Sequence, residues 1–168
     1  MDFVGPTSKL SKGNQYVIVL TDMFSKFFIT KAVRDCSSTT AAQFLLEEVI
    51  LKYGTPKELV TNGSYLTSAL FESLLKLVGS CHIRVTPYHP QANRQCERYN
   101  ATFLPKVLTL ANSTKTNWDE MLLLTTFNYN NTQRAITKFT SFELMYSRNC
   151  RLLVDPVGET GELPDPQQ

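Results

Sequence analysis

Three short stretches of this 168-residue sequence carry side chains that could do chemistry. Asp2 opens the chain ahead of Phe3-Val4-Gly5-Pro6. Leu59-Val60-Thr61-Asn62-Gly63-Ser64-Tyr65-Leu66-Thr67-Ser68 reads as a strand running through a turn into a helix. Pro87-Tyr88-His89-Pro90-Gln91-Ala92-Asn93-Arg94-Gln95-Cys96-Glu97-Arg98-Tyr99-Asn100 reads as a loop feeding a helix. Carboxylates such as Asp2 and Glu97 can hold hard divalent cations or carry protons. Taken singly, each also has an ordinary reading. Asp2 could be an exposed terminal acid, and Glu97 a solvated acid favoured by a helix dipole. His89 reads as structural. The Asn62-Gly63-Ser64 triplet fits a glycosylation sequon, but nothing else in the chain points to secretion.

The bulk composition narrows the class. Hydrophobic residues make up 42% and charged residues 19%, enough for one soluble domain with a core. A net charge of +2 does not announce a nucleic-acid binder, although a basic face can hide inside a near-neutral total. Cys36, Cys81, Cys96 and Cys150 form no CxxC pair, and His82 and His89 are the only histidines. That is poor material for a zinc site, and it favours reduced thiols in an intracellular protein. No apolar run reaches membrane length, and the opening residues lack the apolar segment of a secretory leader.

The elements that must position these residues follow from periodicity. Met1–Val4 reads as the tail of a strand cut by the N-terminus, closed by Gly5-Pro6. Tyr16–Leu20 is a continuous β-branched run, expected of a strand buried on both faces. Lys26–Thr30 is a third expected strand after a turn at Asp22–Ser25. A helix capped by Thr39 or Thr40 should run through Lys52, with Ala42, Leu45, Leu46, Val49 and Ile50 inward, and stop at Gly54-Thr55-Pro56. Glu58–Thr61 is a short fourth strand. Ser68 starts a second helix facing Phe71, Leu74, Leu75 and Val78 to the core, and Ile83–Val85 is a fifth strand.

A long helix is expected from about Arg94 to Ala111 on the stripe Cys96, Tyr99, Phe103, Val107 and Leu110. Pro105 should kink it, leaving the Ala101 carbonyl without its usual donor. Another helix, Trp118–Tyr129, carries Met121, Leu122, Thr125 and Phe127, and Trp118 and the many Phe residues are expected in the core. Residues 1–150 are assigned to one domain, truncated at its N-terminal strand, and 151–168 to an extended or disordered tail rich in Pro, Gly and acid. Strands first, then alternating strands and helices, make an α/β mixed sheet with helices on its faces.

In four segments the chain resembles the catalytic core of retroviral and gypsy-type retrotransposon integrases. MDFVGP is similar to the family's DFxGP segment, and VLTDMFSKF to its VDRFSKW segment. TPYHPQANRQCERYN is similar to the TPYHPQxNGQVERxN signature, the most specific match. FNYNNTQRAITKFTSFELMYSRN resembles the segment that usually ends the core. The resemblance covers roughly residues 1 to 155. It implies a ribonuclease H-like fold with a five-stranded mixed sheet and helices on both faces. It also implies an Asp, Asp, Glu triad holding two Mg2+ or Mn2+ ions for polynucleotidyl transfer, with retroelement ends and target DNA as substrates. A nuclear location and homo-oligomeric assembly come with it. Two such ions, about 3.5–4 Å apart, activate the nucleophile and neutralise charge on the transferring phosphate.

Carried over residue by residue, Asp2 matches the first carboxylate and Glu97 the third. The second is missing. The family reads like VSDNGSxFTS, whereas this chain reads Val60-Thr61-Asn62-Gly63-Ser64-Tyr65-Leu66-Thr67-Ser68, one residue shorter. Either the Asp is deleted ahead of Asn62, the preferred alignment, or Asn62 stands in its place. In both cases Asn62 leaves only a neutral, weak metal ligand. Glu58 shares strand parity with residue 62 but lies about 13 Å back along the strand, and Asp22 falls in a turn. A second departure is Arg94, where the family commonly has a Gly that loosens the loop. The implied DNA contacts are Tyr88, Asn93, Arg94, Arg98 and Lys106, although Arg98 and Lys106 could equally be a solvated helix face and Tyr88 a half-buried loop aromatic. The resulting expectation is an integrase core whose catalysis is impaired. The alternative is a domesticated non-catalytic DNA-binding or protein-interaction module. A ribonuclease H-like nuclease of another family is disfavoured by the PYHPQ loop.

Overall fold

The structure, a computed structural model, describes residues 1–7, 13–61, 68–84, 103–114, 116–135 and 137–151. Three antiparallel strands, β1 (Asp2–Val4), β2 (Tyr16–Thr21) and β3 (Phe28–Val33), lie in the order β1-β2-β3. The register pairs Asp2 with Val19 and Thr21 with Phe28. β4 (Glu58–Thr61) and β5 (Cys81–Arg84) form a separate parallel ladder pairing Leu59 with His82. The expected single five-stranded sheet is thus two ladders. β1 is only three residues long, and the Met1 ammonium, donating to the Val60 carbonyl at 2.6 Å, marks where the two ladders meet.

Helices cover both faces of the three-stranded sheet. Helix α1 spans Ser38–Phe44, widens into a π-turn over Leu45–Ile50 and ends at Leu51–Tyr53. Its Ala41, Phe44, Leu45 and Val49 join Phe71 and Leu75 of α2 (Ala69–Leu77) over Ile18 and Leu20. On the other face, helical residues 103–110 (α3) and α4 (Trp118–Asn131) bring Phe103, Val107, Trp118 and Leu122 against Val17, Val19 and Phe28. Consecutive residues of β2 therefore alternate between two cores, which is why Tyr16–Leu20 reads as an unbroken apolar run.

Several boundaries differ from the sequence expectation, each for a local reason. The third strand starts at Phe28, because Lys26 sits at φ 59° inside the turn that Asp22 organises. Ser37 caps α1 in place of Thr39 or Thr40, accepting from the Thr40 amide at 3.2 Å. Leu110 and Phe127 are about half exposed, and Phe24 is almost fully exposed, so not every Phe is in the core. Pro105 lies within helical residues 103–110, whereas Ala101, Cys96, Tyr99 and the residues beyond Arg151 fall outside the described residues.

The free edge of β3 is closed by one side chain. The buried Asn130 amide accepts from the Phe28 N–H and donates to the Phe28 carbonyl, both at 2.8 Å. It pairs with the strand as another backbone would. Asn130→Ala leaves two buried backbone groups without partners and should cost about 2–4 kcal/mol in urea unfolding. A loss under about 0.5 kcal/mol would show that water replaces the amide.

Candidate active site

Strand alternation aims the first candidate carboxylate. Met1 and Phe3 pack into the core under α1 and α2, so Asp2 and Val4 take the opposite face, the one covered by α3 and α4. Asp2 is half-buried, and its Oδ1 accepts from the Phe3 N–H at 2.8 Å. Its negative charge reaches Cys36. Burial first, then the charges of Asp35 and Asp2, hold that thiol above its ordinary range.

β4 brings its end to the same place. The Met1–Val60 hydrogen bond sets Asp2 one residue from the junction of β1 and β4, and Thr61 is the last described residue of β4. Thr61 is buried, with Oγ1 2.8 Å from His82 Nε2 on the neighbouring β5. The His82 ring stands edge-on to Phe71 at 5.8 Å. Its buried Nδ1 has no hydrogen-bond partner among the described residues.

Burial and the nearby Met1 ammonium hold the His82 pKa below its ordinary value of 6.5. The folded state therefore prefers neutral imidazole. The stability this contributes is present above pH 6.5 and is lost as pH falls from 6.5 through the lower folded-state value. Thermal unfolding from pH 7.5 to 5 should show this decline, and His82→Gln should flatten it. An unchanged profile in the variant would assign the decline to other groups.

The remaining candidates divide cleanly. Asn62, Tyr88, Asn93, Arg94, Glu97 and Arg98 fall outside the described residues. Lys106 is exposed on α3. Among the described residues, no group of three or more His, Cys, Asp or Glu could hold a metal ion.

No family model matches the chain. In sequence it is similar to the retrovirus-related Pol polyprotein from transposon 412 of Drosophila melanogaster, 28% identical over 153 residues, covering 90% of this chain and 12% of the polyprotein. It is also similar to the transposon Tf2-3 polyprotein of Schizosaccharomyces pombe, 29% identical over 149 residues, covering 87% of this chain and 11% of that protein. The chain thus spans about an eighth of the length of these curated relatives. The fold matches a chain of the cryo-EM structure of the simian T-cell lymphotropic virus intasome in complex with PP2A regulatory subunit B56 gamma. There the TM-score is 0.69 at 20% identity, over 96% of this chain and 58% of that one. It matches the crystal structure of the catalytic core domain of BIV integrase with a TM-score of 0.65 at 20% identity, over 87% and 93% of the two chains. In sequence the chain is similar to part of these retrotransposon polyproteins, and its fold is similar to that of the BIV integrase catalytic core domain.

Within this fold, side chains outside the candidate triad act on structure. Asp22 Oδ2 accepts from the Ser25 N–H at 2.6 Å, the Ser25 hydroxyl at 2.7 Å and the Phe24 N–H at 3.2 Å, which fixes the hairpin turn. Glu58 lies exposed at the far end of β4. The closing segment resembling the end of integrase cores is a clamp. Arg134 donates to Ser141 Oγ, the Tyr129 hydroxyl and the Lys26 carbonyl, and its guanidinium stacks 4.8 Å from the Tyr129 ring centroid. Thr140 and Glu143 form a capping box that starts α5 (Ser141–Tyr146). The Thr61–His82 pair carried no sequence signal, because it arises only when parallel strands set residues 21 apart side by side.

Proposed function

We propose that the chain is the integrase catalytic core of a gypsy-type retrotransposon, a DNA-binding domain whose strand transfer is impaired at its second carboxylate position. One observation carries this reading. The end of β4 meets β1 beside Asp2, and the sequence leaving β4 there is Thr61-Asn62-Gly63-Ser64, with no acid. Residues 1–150 form the core in this reading and 151–168 a tail.

The donor set does not fit a pair of divalent ions. Asp2 and Glu97 supply two carboxylates, while Thr61 is engaged with His82 and Asn62 is neutral. Mg2+ and Mn2+ draw most of their affinity from anionic oxygens. The proposed partners are retroelement ends and target DNA in the nucleus, bound by a homo-oligomer, with Tyr88, Asn93, Arg94, Arg98 and Lys106 at the phosphate backbone. The same missing acid favours a second reading, a non-catalytic DNA-binding or protein-interaction module.

Strand-transfer and disintegration assays on oligonucleotides with Mg2+ or Mn2+ test the proposal. Measurable DNA binding with no robust Mg2+-dependent turnover is expected. Robust turnover would overturn the impaired reading, and absence of DNA binding would favour the protein-interaction module.

A further inference from the structure

The hairpin turn between β2 and β3 rests on the closing segment around α5, away from the candidate active site. The Lys26 carbonyl accepts from Arg134 and from the Ser141 hydroxyl, and the Ser25 hydroxyl lies 3.9 Å from Met145 Sδ. The Phe27 ring stands edge-on to Tyr146, with centroids 5.7 Å apart, and to Tyr53 at 6.4 Å. The Tyr53 and Tyr146 hydroxyls are 3.3 Å apart. Tyr53 ends α1 a few residues ahead of β4, so this surface lies toward the start of β4, whereas Asp2 lies by its end.

The surface is both aromatic and basic. Phe24, at the tip of the turn, is 82% exposed, and Tyr146 is 40% exposed. Lys138 and Arg148 are exposed on the closing segment, and Lys26 Nζ donates to the Met23 carbonyl at the tip. The Arg148 guanidinium sits over the Phe142 ring, 5.1 Å from its centroid, which holds a long side chain in place before anything binds. The two acids nearby are tied to backbone. Asp22 accepts from the Phe24 and Ser25 amides, and Glu143 accepts from the Thr140 amide. The cations therefore face solvent with little opposing charge, beside rings that no neighbour covers. Rings for stacking and cations for phosphate suit a strand with unpaired bases, because a duplex hides its base faces. An acidic peptide would match the charge alone.

We propose that this surface is a second nucleic-acid site, which takes single-stranded DNA. Bases stack on Phe24 and Tyr146, and the backbone phosphates meet Lys26, Lys138 and Arg148. The choice of DNA over RNA rests on the DNA-binding reading above, whereas the site itself rests on its rings and charges.

Fluorescence anisotropy of a labelled oligothymidylate tests the site, in EDTA so that no divalent ion bridges protein and strand. Phe24→Ala and Arg148→Ala should each weaken binding at least about fivefold, the lower end of what one stacked base contributes. Arg148→Ala should also lower the slope of log affinity against log salt by about 0.7, the loss of one phosphate contact. Lys76→Ala removes an exposed cation on α2 and should stay within about twofold of the native chain. Circular dichroism checks that each variant keeps the native fold. Unchanged oligothymidylate affinity in Phe24→Ala and Arg148→Ala would overturn the proposal, as would displacement of the strand by oligoglutamate of equal charge. Binding at least about tenfold tighter to oligouridylate would overturn the choice of DNA. A blunt DNA duplex reads the DNA-binding reading separately. Oligothymidylate held through Phe24 by a chain that binds no duplex would support this site and remove that reading.

Discussion

An aspartate inserted between Thr61 and Asn62 is expected to tighten Mn2+ binding at least tenfold over the native chain. Tenfold corresponds to about 1.4 kcal/mol. A unit charge about 4 Å from another, at the effective dielectric of a partly solvated protein site, interacts with about 4 kcal/mol. A divalent ion gaining one carboxylate thus has ample attraction to exceed the threshold, even after the ion and the acid lose hydration. The insertion leaves β4 itself alone. Leu59 stays in the core and Thr61 keeps its bond to His82, so the new acid enters directly after β4. Titration followed by Mn2+ paramagnetic relaxation reads the affinity directly, without requiring turnover. Unchanged affinity in a variant with native thermal stability would place the damage beyond this ligand, with Arg94 and Pro105 the next positions to revert.

How far such a site could be read in advance depends on whether its signal is local. Asp2 is singled out because it sits in a short motif, and the register of β1 pairs it with Val19. The strand Tyr16–Leu20 was legible because burial on both faces leaves an unbroken apolar run. Other features depend on partners far along the chain. Asn130 stands in Asn128-Tyr129-Asn130-Asn131 with nothing local to set it apart, yet its amide completes the edge of a strand 102 residues away. Leu110 and Phe127 follow helical spacing, but spacing alone does not say how wide a helix face the core covers, and both lie at its margin. The start of α1 shifted from Thr39 or Thr40 to Ser37 because Asp35, Ser37 and Thr40 bond to one another ahead of the first turn.

Trp118→Ala should cost about 3–5 kcal/mol, the largest loss expected of any single truncation on the Asp2 face. Trp118 is fully buried and packs in the cluster that holds Phe103 and Val107 of α3 against Val17 and Val19 of β2. Its loss opens a cavity between α4, α3 and the sheet, and two helices and a strand cannot all relax into it together. Urea unfolding with an unchanged m-value reads the cost. The comparison that isolates burial from hydrophobicity is Leu123→Ala on the same helix. Leu123 is 66% exposed, so its truncation should fall within about 0.5 kcal/mol of the native chain. A small loss at Trp118 together with a large one at Leu123 would reverse the assignment of the inner face of α4. With it would go the packing that sets α3 over the face of the sheet that carries Asp2.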